Sequence, residues 1–516
     1  MKNFLAIIFI IAVALRFIYF PDNVYFGYDQ ARDAYTSQEI IAGDIIIKGP
    51  SASFDSNIFH GALSYYILAP LYYFSGGDPT LFSVVLRFYN ALGVILVFLI
   101  AALLFNRKTA LIAATLYAVS YEQTQYALFL SHPSFAVLTV LLFYYGCVKY
   151  FFQNNLKGLV LSAIGLGLSI QFHFSLIILA FVFLVMFILF KIPWNLISTA
   201  NTKFFSLVKS RLPDYLKYAL ISIICFILTT ATFIISEYKY GDFLKILTSS
   251  NQNSLINANN TIESAIFHIT TITHDNLNAF PGNFAVILTL ALLSTAALIY
   301  RNNHKKQLVF LLIWIIGGIV PYLLSYSKIY YYGIGGSIGL LVLTAFIIDR
   351  LFIKHRILAT GLLVLIISSN LYLIITLNQT KFNQNMIVQE GLVLPVEKEV
   401  LDFIYQRSEN QPFSVNAVMI PYNVNTTWDY LFNWYGYKKY GRLPVWGGDA
   451  APGYKGKLEV VTSRTNLPKR RFLIIEPSRN IPSYMISGLI TEENYFSKVI
   501  EEKSFGNITV QVRDAI

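Results

Sequence analysis

Asp29 and Asp33 stand four residues apart in PDNVYFGYDQARDAYTSQEIIAGD, with Arg32 beside them. On a helix that spacing puts both carboxylates on one face, next to the guanidinium. A carboxylate so placed can act as general base on a hydroxyl or amine. The plainer alternative is that Asp29 caps a helix and Asp33 is solvated. Further polar groups follow in SYEQTQYALFLSHPS, where Glu122 and His132 would line a polar rim, joined by His173 of QFHFS. His60 precedes an apolar stretch, and His274 and Asp275 adjoin later in the chain. A single His at an interface more often satisfies its own hydrogen bonds than it binds a ligand. Lys328 stands among Tyr326, Tyr330, Tyr331 and Tyr332 in SYSKIYYYG. That group could hold a phosphate or stack on a sugar ring, or form an interfacial aromatic belt with one lysine.

Other chemistries lack their residues. No HExxH, CxxC or DxD occurs, so no metal is expected. A phosphate-cradling GxxxxGK[ST] and a dinucleotide-binding GxGxxG after a strand are also absent, and no cofactor is expected. Cys147 and Cys225 fall in separate apolar runs and read as small hydrophobes.

The elements that must position these groups are membrane helices. Of the 516 residues, 55% are hydrophobic and only 13% charged. Residues 1–380 hold 23 basic and 14 acidic residues, whereas 381–516 hold 16 and 14, more than twice the density. The first part needs lipid as solvent, and the second can live in water. A crossing of ~30 Å takes about 20 apolar residues. The runs near 3–20, 81–104, 109–127, 133–153, 158–173, 174–191, 217–236, 281–300, 307–326, 333–350 and 357–377 predict about eleven transmembrane helices. The first run is read as a retained helix because it has no clear small-residue cleavage site. The stretch 61–74 is too short to cross and reads as an interfacial helix.

Basic residues fix an orientation. With the N-terminus in the cytoplasm, the inner loops carry 16 Lys and Arg with two acids, and the outer loops five with twelve acids. The net charge of +11 therefore serves topology, and no nucleic-acid partner is expected. Two outer loops are long, 21–80 and 237–280, and loops of that kind carry binding and chemistry. Residues 381–516 then form a small extracytoplasmic unit. VEKEVLDFIYQR reads as a helix, and SVNAVMI, LEVVT, RFLIIE and ITVQVR read as strands, so an α/β or α+β fold is expected. The aromatic run TTWDYLFNWYGYKKYG suits saccharide contact or core packing equally.

Arg16 and Arg87 fall inside predicted spans, where an arginine costs roughly 2.5–3.5 kcal/mol and usually has a partner. Arg16 can snorkel outward. Arg87 lies two turns deep, and a lipid-linked phosphate entering between helices would suit its forked guanidinium.

The acidic motif YDQARD (28–33) after the first span, the interfacial HGALSYYILAPLYY (60–73) and the alternating spans resemble the GT-C superfamily of membrane glycosyltransferases. The nearest branch in appearance is that of the protein O-mannosyltransferases and aminoarabinose transferases. The resemblance covers residues 1 to about 380 and rests on order and topology. It implies a polyprenyl-phosphate sugar as donor and a glycan, lipid or protein acceptor at the outer face of the plasma membrane. Carried over, Asp29 matches the catalytic base, and Asp33 is a second candidate more widely spaced than the paired acids of the mannosyltransferase branch. Arg87, Lys328 and Arg32 would meet the donor phosphate. Glu122, His132, His173, Tyr331 and His60 would contact substrate. A further DxD, used with a metal in the oligosaccharyltransferase branch, is missing, which implies metal-independent transfer.

Two other classes remain open. A lipid-linked-glycan flippase or transporter would need mid-span acids, and none occurs. An O-antigen ligase or polymerase would rely on Arg in a later loop, and 237–280 holds none. A non-catalytic envelope scaffold is the least specific reading.

Overall fold

The computed structural model describes residues 2–52, 55–192, 202–241, 258–279, 304–324, 329–379, 391–477 and 481–516, with Met386 and scattered positions between 287 and 298. Within them the chain is a multi-pass helical membrane protein. Seven helices are long and apolar enough to cross a bilayer: Thr80–Leu104, His132–Gln153, Phe174–Lys191, Leu212–Thr229, Lys305–Leu324, Gly336–Lys354 and Arg356–Leu377. Two shorter apolar helices, Asn3–Arg16 and Lys157–Phe172, accompany them. The expected span 281–300 falls almost wholly outside the described residues.

In chain order the helices used below are α1 (Lys2–Arg16), α2 (Tyr28–Ala42), α3 (Leu63–Ser75), α4 (Thr80–Ala91), α5 (Gly93–Leu104), α6 (Arg107–Val119), α7 (Tyr121–Leu128), α8 (His132–Gln153) and α9 (Lys157–Phe172). After these come α10 (Ile178–Lys191), α11 (Thr202–Thr229), α12 (Ala231–Tyr240), α13 (Ala258–Asn276), α14 (Lys305–Leu324), α15 (Gly336–Lys354) and α16 (Arg356–Leu377). The run expected to cross at 109–127 is instead two helices, α6 and α7. Ser120 leaves helical geometry at ψ 122°, and its hydroxyl accepts from Gln123 N to start α7. The polar residues that follow, Glu122 to Gln125, are all buried inside protein.

Close helix contact sets the positions of α8 and α9. A Cβ on Gly146 would come 2.5 Å from Ser162 N, and one on Gly165 2.4 Å from Phe143 N. Glycine here lets two backbones touch, as in small-residue helix packing in membranes.

The first long loop carries regular elements among its described residues. It holds α2, an antiparallel hairpin of β1 (Lys48–Ala52) and β2 (Asp55–Gly61), and α3. Helix α2 starts at Gly27, whose N–H donates to Gln30 Oε1 at 3.0 Å, and Asp29 in its first turn favours the positive helix end. It stops at Gly43, which takes φ 108° and donates to the Glu39 and Ile40 carbonyls.

The C-terminal region carries a mixed five-stranded sheet. Its strands are β3 (Phe413–Val418), β4 (Val445–Trp446), β5 (Arg470–Ile475), β6 (Ser497–Phe505) and β7 (Ile508–Ala515), ordered β4-β3-β5-β7-β6. Strand β3 runs parallel to β4 and β5, and β7 pairs antiparallel with both β5 and β6. The run VEKEVLDFIYQR lies in a helix, Leu394–Arg407, as its pattern predicts. LEVVT is not a strand and makes only an isolated bridge, Val460 to Trp446. The aromatic run 426–441 folds helically, with Trp428, Tyr430 and Phe432 buried in the core.

This region clamps the first loop. Leu394 N donates to Val24 O at 2.8 Å, and Tyr430 OH to Gly77 O at 2.6 Å. Lys455 Nζ meets Glu39 at 2.5 Å, and the Tyr35 hydroxyl donates to Asp429. Helix α2 thus lies between the bundle and the sheet-bearing region.

Candidate active site

Arg32 organises the acids of α2. Its Nη1 donates to Asp29 Oδ1 at 2.7 Å, while Nε and Nη2 reach Asp33 Oδ1 at 2.9 and 2.7 Å. The two carboxylates differ in what surrounds them. The Asp29 side chain is 42% exposed and that of Asp33 only 1%. Asp33 Oδ2 is buried without a hydrogen-bond partner among the described residues. Burial raises the Asp33 pKa to about 7; Arg32 pulls the other way and Asp29 adds to the rise. A second tether fixes α2: Gln30 Nε2 donates to Leu130 O at 2.9 Å, joining it to the turn between α7 and α8.

Three imidazoles meet beside this helix. His60, on β2, lies with its ring centroid 4.6 Å from that of His132 and 4.6 Å from that of His173. The outer two are parallel within 8°, at 6.3 Å. Phe174 N donates to His60 Nδ1 at 3.1 Å, so the hydrogen of a neutral His60 sits on Nε2. His60 is held well below the usual imidazole range by burial, then by the neighbouring histidines and by Arg32. That environment favours the uncharged imidazole. His132 Nε2 is buried and unpaired among the described residues. Glycine makes the assembly possible: a Cβ on Gly61 would fall 1.5 Å from Gln171 Oε1. Tyr331 completes it, stacked on Phe129 at 5.7 Å and edge-on to His173 at 5.5 Å.

The structure therefore brings Asp29, Arg32, Asp33, His60, His132, His173 and Tyr331 into one neighbourhood. Other predicted residues lie apart. Glu122 is buried in a separate network, accepting from Asn276 Nδ2 at 2.8 Å, with Asn276 Oδ1 taking the Ser120 hydroxyl at 2.7 Å. Asp275 in the same region takes Tyr330 OH and His274 Nδ1, each at 2.7 Å. Arg87 is fully buried and bonded to protein: Ser83 Oγ at 3.0 Å, the Arg16 carbonyl at 2.5 Å and Asn23 Oδ1 at 2.8 Å. The rings of Phe17 and Phe20 flank it at 5.6 and 5.0 Å. Arg16 does not snorkel; it is buried and donates to Asn90 Oδ1 and the Ala12 and Ala118 carbonyls. Lys328 lies outside the described residues.

Sequence reasoning missed Tyr65 and the Gln30 tether. Tyr65, on α3, is buried within electrostatic reach of Arg32, Asp33 and Asp29. Its place in the run HGALSYYILAPLYY, on a helix already assigned to the interface, was the available signal.

The chain matches known proteins at the level of fold. The family model described as dolichyl-phosphate-mannose-protein mannosyltransferase matches residues 60–210. The crystal structure of ArnT from Cupriavidus metallidurans bound to undecaprenyl phosphate superposes with a TM-score of 0.61 at 11% identity, covering 99% of this chain and 98% of that one. Its apo state gives the same TM-score at 12% identity. The Archaeoglobus fulgidus oligosaccharyltransferase in complex with Zn and sulfate gives 0.50 at 14%, covering 91% of this chain and 67% of that one. No curated protein matches in sequence. The chain thus shares its fold with ArnT and the archaeal oligosaccharyltransferase, in line with the GT-C resemblance of the first-loop motif and the order of elements.

Proposed function

We propose that this protein transfers a sugar from a polyprenyl-phosphate donor to an acceptor at the outer face of the membrane. One observation carries the reading. In a GT-C fold, a half-exposed carboxylate, Asp29, is held at the head of α2 by Arg32, beside a buried acid and a neutral imidazole surface.

In this reading Asp29 takes the proton of the acceptor hydroxyl or amine. The acceptor atom bonds to the anomeric carbon, the carbon–oxygen bond to the lipid phosphate breaks, and the phosphate leaves with the electron pair. Attack opposite the leaving group inverts the anomeric centre. Arg32 would meet the leaving phosphate, which requires it to loosen one of its two carboxylate contacts. Lys328 remains a proposed phosphate contact; Arg87 would become one only if its present bonds to Ser83, Arg16 and Asn23 were exchanged. Among the protein's own groups, preorganised charge would supply the stabilisation, with no metal step required. His60, His132, His173 and Tyr331 would form the wall against which the sugar or acceptor lies, and Glu122 would support it from the adjoining network.

The charge bias of the loops supports an N-terminus in the cytoplasm and residues 381–516 outside, beside the proposed site. Residues 1–380 then form the catalytic part, and the sheet-bearing region holds α2 in place and helps select the acceptor.

The test is transfer by the purified full-length protein from synthetic polyprenyl-phosphate sugars to envelope extracts, with products read by mass spectrometry. Asp29→Asn should lower transfer by about a hundredfold or more while leaving the folded yield unchanged. Full activity in that variant removes Asp29 from the role of base.

A further inference from the structure

At the other end of the bundle, helices α6, α15 and α16 diverge around a cavity of about 640 Å³. Helix α15 begins just after Tyr331 and Tyr332 and runs for 19 residues, so its far end lies about 28 Å from the acidic helix's surroundings. The cavity lies at that far end. Lys108, Leu111 and Ile112 line it from one face of α6; Asp349, Phe352 and Ile353 line it from one face of α15, and Arg356 opens α16.

The lining is asymmetric in charge. Asp349 is buried in the wall, where its Oδ2 takes Asn106 Nδ2 at 2.8 Å and the Thr109 hydroxyl at 2.7 Å. Lys108 and Arg356 are exposed, and neither side chain has an acid partner among the described residues. Two cations and one carboxylate leave one positive charge, which matches the single negative charge of a phosphodiester. The remaining wall, Leu111, Ile112, Phe352 and Ile353, is apolar. From Ile353, 68% exposed, it continues onto Ile357 and Leu358, 92 and 60% exposed, on helices that can cross a bilayer.

We propose that this cavity holds the headgroup of an anionic phospholipid. Its phosphodiester bridges Lys108 and Arg356, the latter able to bind two oxygens at once. An acyl chain then follows Ile353 and Ile357. A free phosphate shares the anion chemistry but is the poorer occupant, because four apolar side chains would face it with no hydrogen-bond donor. The bound lipid would bridge the starts of α6 and α16. The inference is independent of the transfer reaction.

The full-length protein in detergent is exposed to phosphatidylglycerol, phosphatidylcholine and inorganic phosphate, and bound lipid is counted by native mass spectrometry. Phosphatidylglycerol should be retained several-fold more than phosphatidylcholine, and millimolar phosphate should not displace it. The double variant Lys108→Gln/Arg356→Gln should lose about fivefold or more of that retention. The charge-conserving pair Lys108→Arg/Arg356→Lys should keep it, which separates lost charge from lost fold. Equal retention of the two lipids, undiminished binding in the Gln pair, loss in the conserving pair or displacement by phosphate would each overturn the proposal.

Discussion

Two acidic networks lie at the same end of this bundle and differ in what their charge is free to do. Around Glu122 and Asp275 the carboxylates are buried and take hydrogen bonds from Asn276, Tyr330 and His274. Around Arg32 one carboxylate is equally buried, but its neighbour Asp29 remains 42% exposed. Burial with satisfied partners turns a polar cluster into a structural element. A carboxylate that keeps solvent access beside such a cluster is held in place yet able to react. Counting acids in the sequence does not separate the two networks; exposure does.

The sharpest way to break this comparison is to neutralise one acid in each network. Asp29→Asn should lower transfer by about 10²–10⁴-fold, the usual contribution of a general base, with little change in thermal stability. Glu122→Gln should do the reverse: transfer within a few-fold, and stability lower by about 1–3 kcal/mol from a disturbed buried hydrogen bond. Steady-state rates and melting curves on both variants check the pair. The contrast collapses if the two variants behave alike.

Arg87→Ala probes a buried cation held wholly by protein. Its removal strands Asn23 Oδ1, the Arg16 carbonyl and Ser83 Oγ, at a cost of about 3 kcal/mol for a charged donor lost from buried acceptors. The folded fraction should fall, and the surviving protein should bind donor normally. A selective loss of donor affinity instead would bring Arg87 back to the phosphate.

Asp33 gives the network around Arg32 a pH signature. Its folded-state pKa, about 7, lies well above the usual carboxylate range, so the protonated form is favoured by folding. The stability it contributes is fully present below pH 4 and is lost as pH rises through 7. Melting temperature across pH 4–8 should therefore decline more steeply in the wild type than in Asp33→Asn. Parallel curves would mean that Asp33 stays ionised throughout.

Much of this was legible because membrane helices and an (i, i+4) acid pair announce themselves by pattern. The acid pair of α2 and the long apolar helices follow from spacing and length, whereas the helical form of α2 entered only as a condition. The break at Ser120 did not, because an apolar tally across 109–127 hides a single serine whose hydroxyl starts a new helix. The partners of Arg87 were not legible for a related reason. A deep arginine needs a partner, but composition does not say whether that partner is a ligand or the chain's own Asn23 and Arg16. The gathering of His60, His132 and His173 depends on contacts more than 40 residues apart, which no local window reports. Strand β6 was missed because SKVIEEKSF is charged on its exposed face.

The smallest expected effect concerns the reach of the C-terminal region into α2. Asp429 takes four donors, the Tyr35 and Asn433 side chains and the backbone N–H groups of Lys457 and Leu458. Burial raises its pKa, and those hydrogen bonds pull it back toward the ionised form. Tyr35→Phe removes only the bond that crosses to α2, leaving the other three intact. Stability should fall by about 1 kcal/mol. If the clamp orients Asp29, kcat should drop by about two- to fivefold with the donor KM unchanged, because the helix shifts while the binding surface stays. An unaltered kcat would make the clamp a matter of stability alone, and the network around Arg32 would then depend on the bundle and not on the sheet.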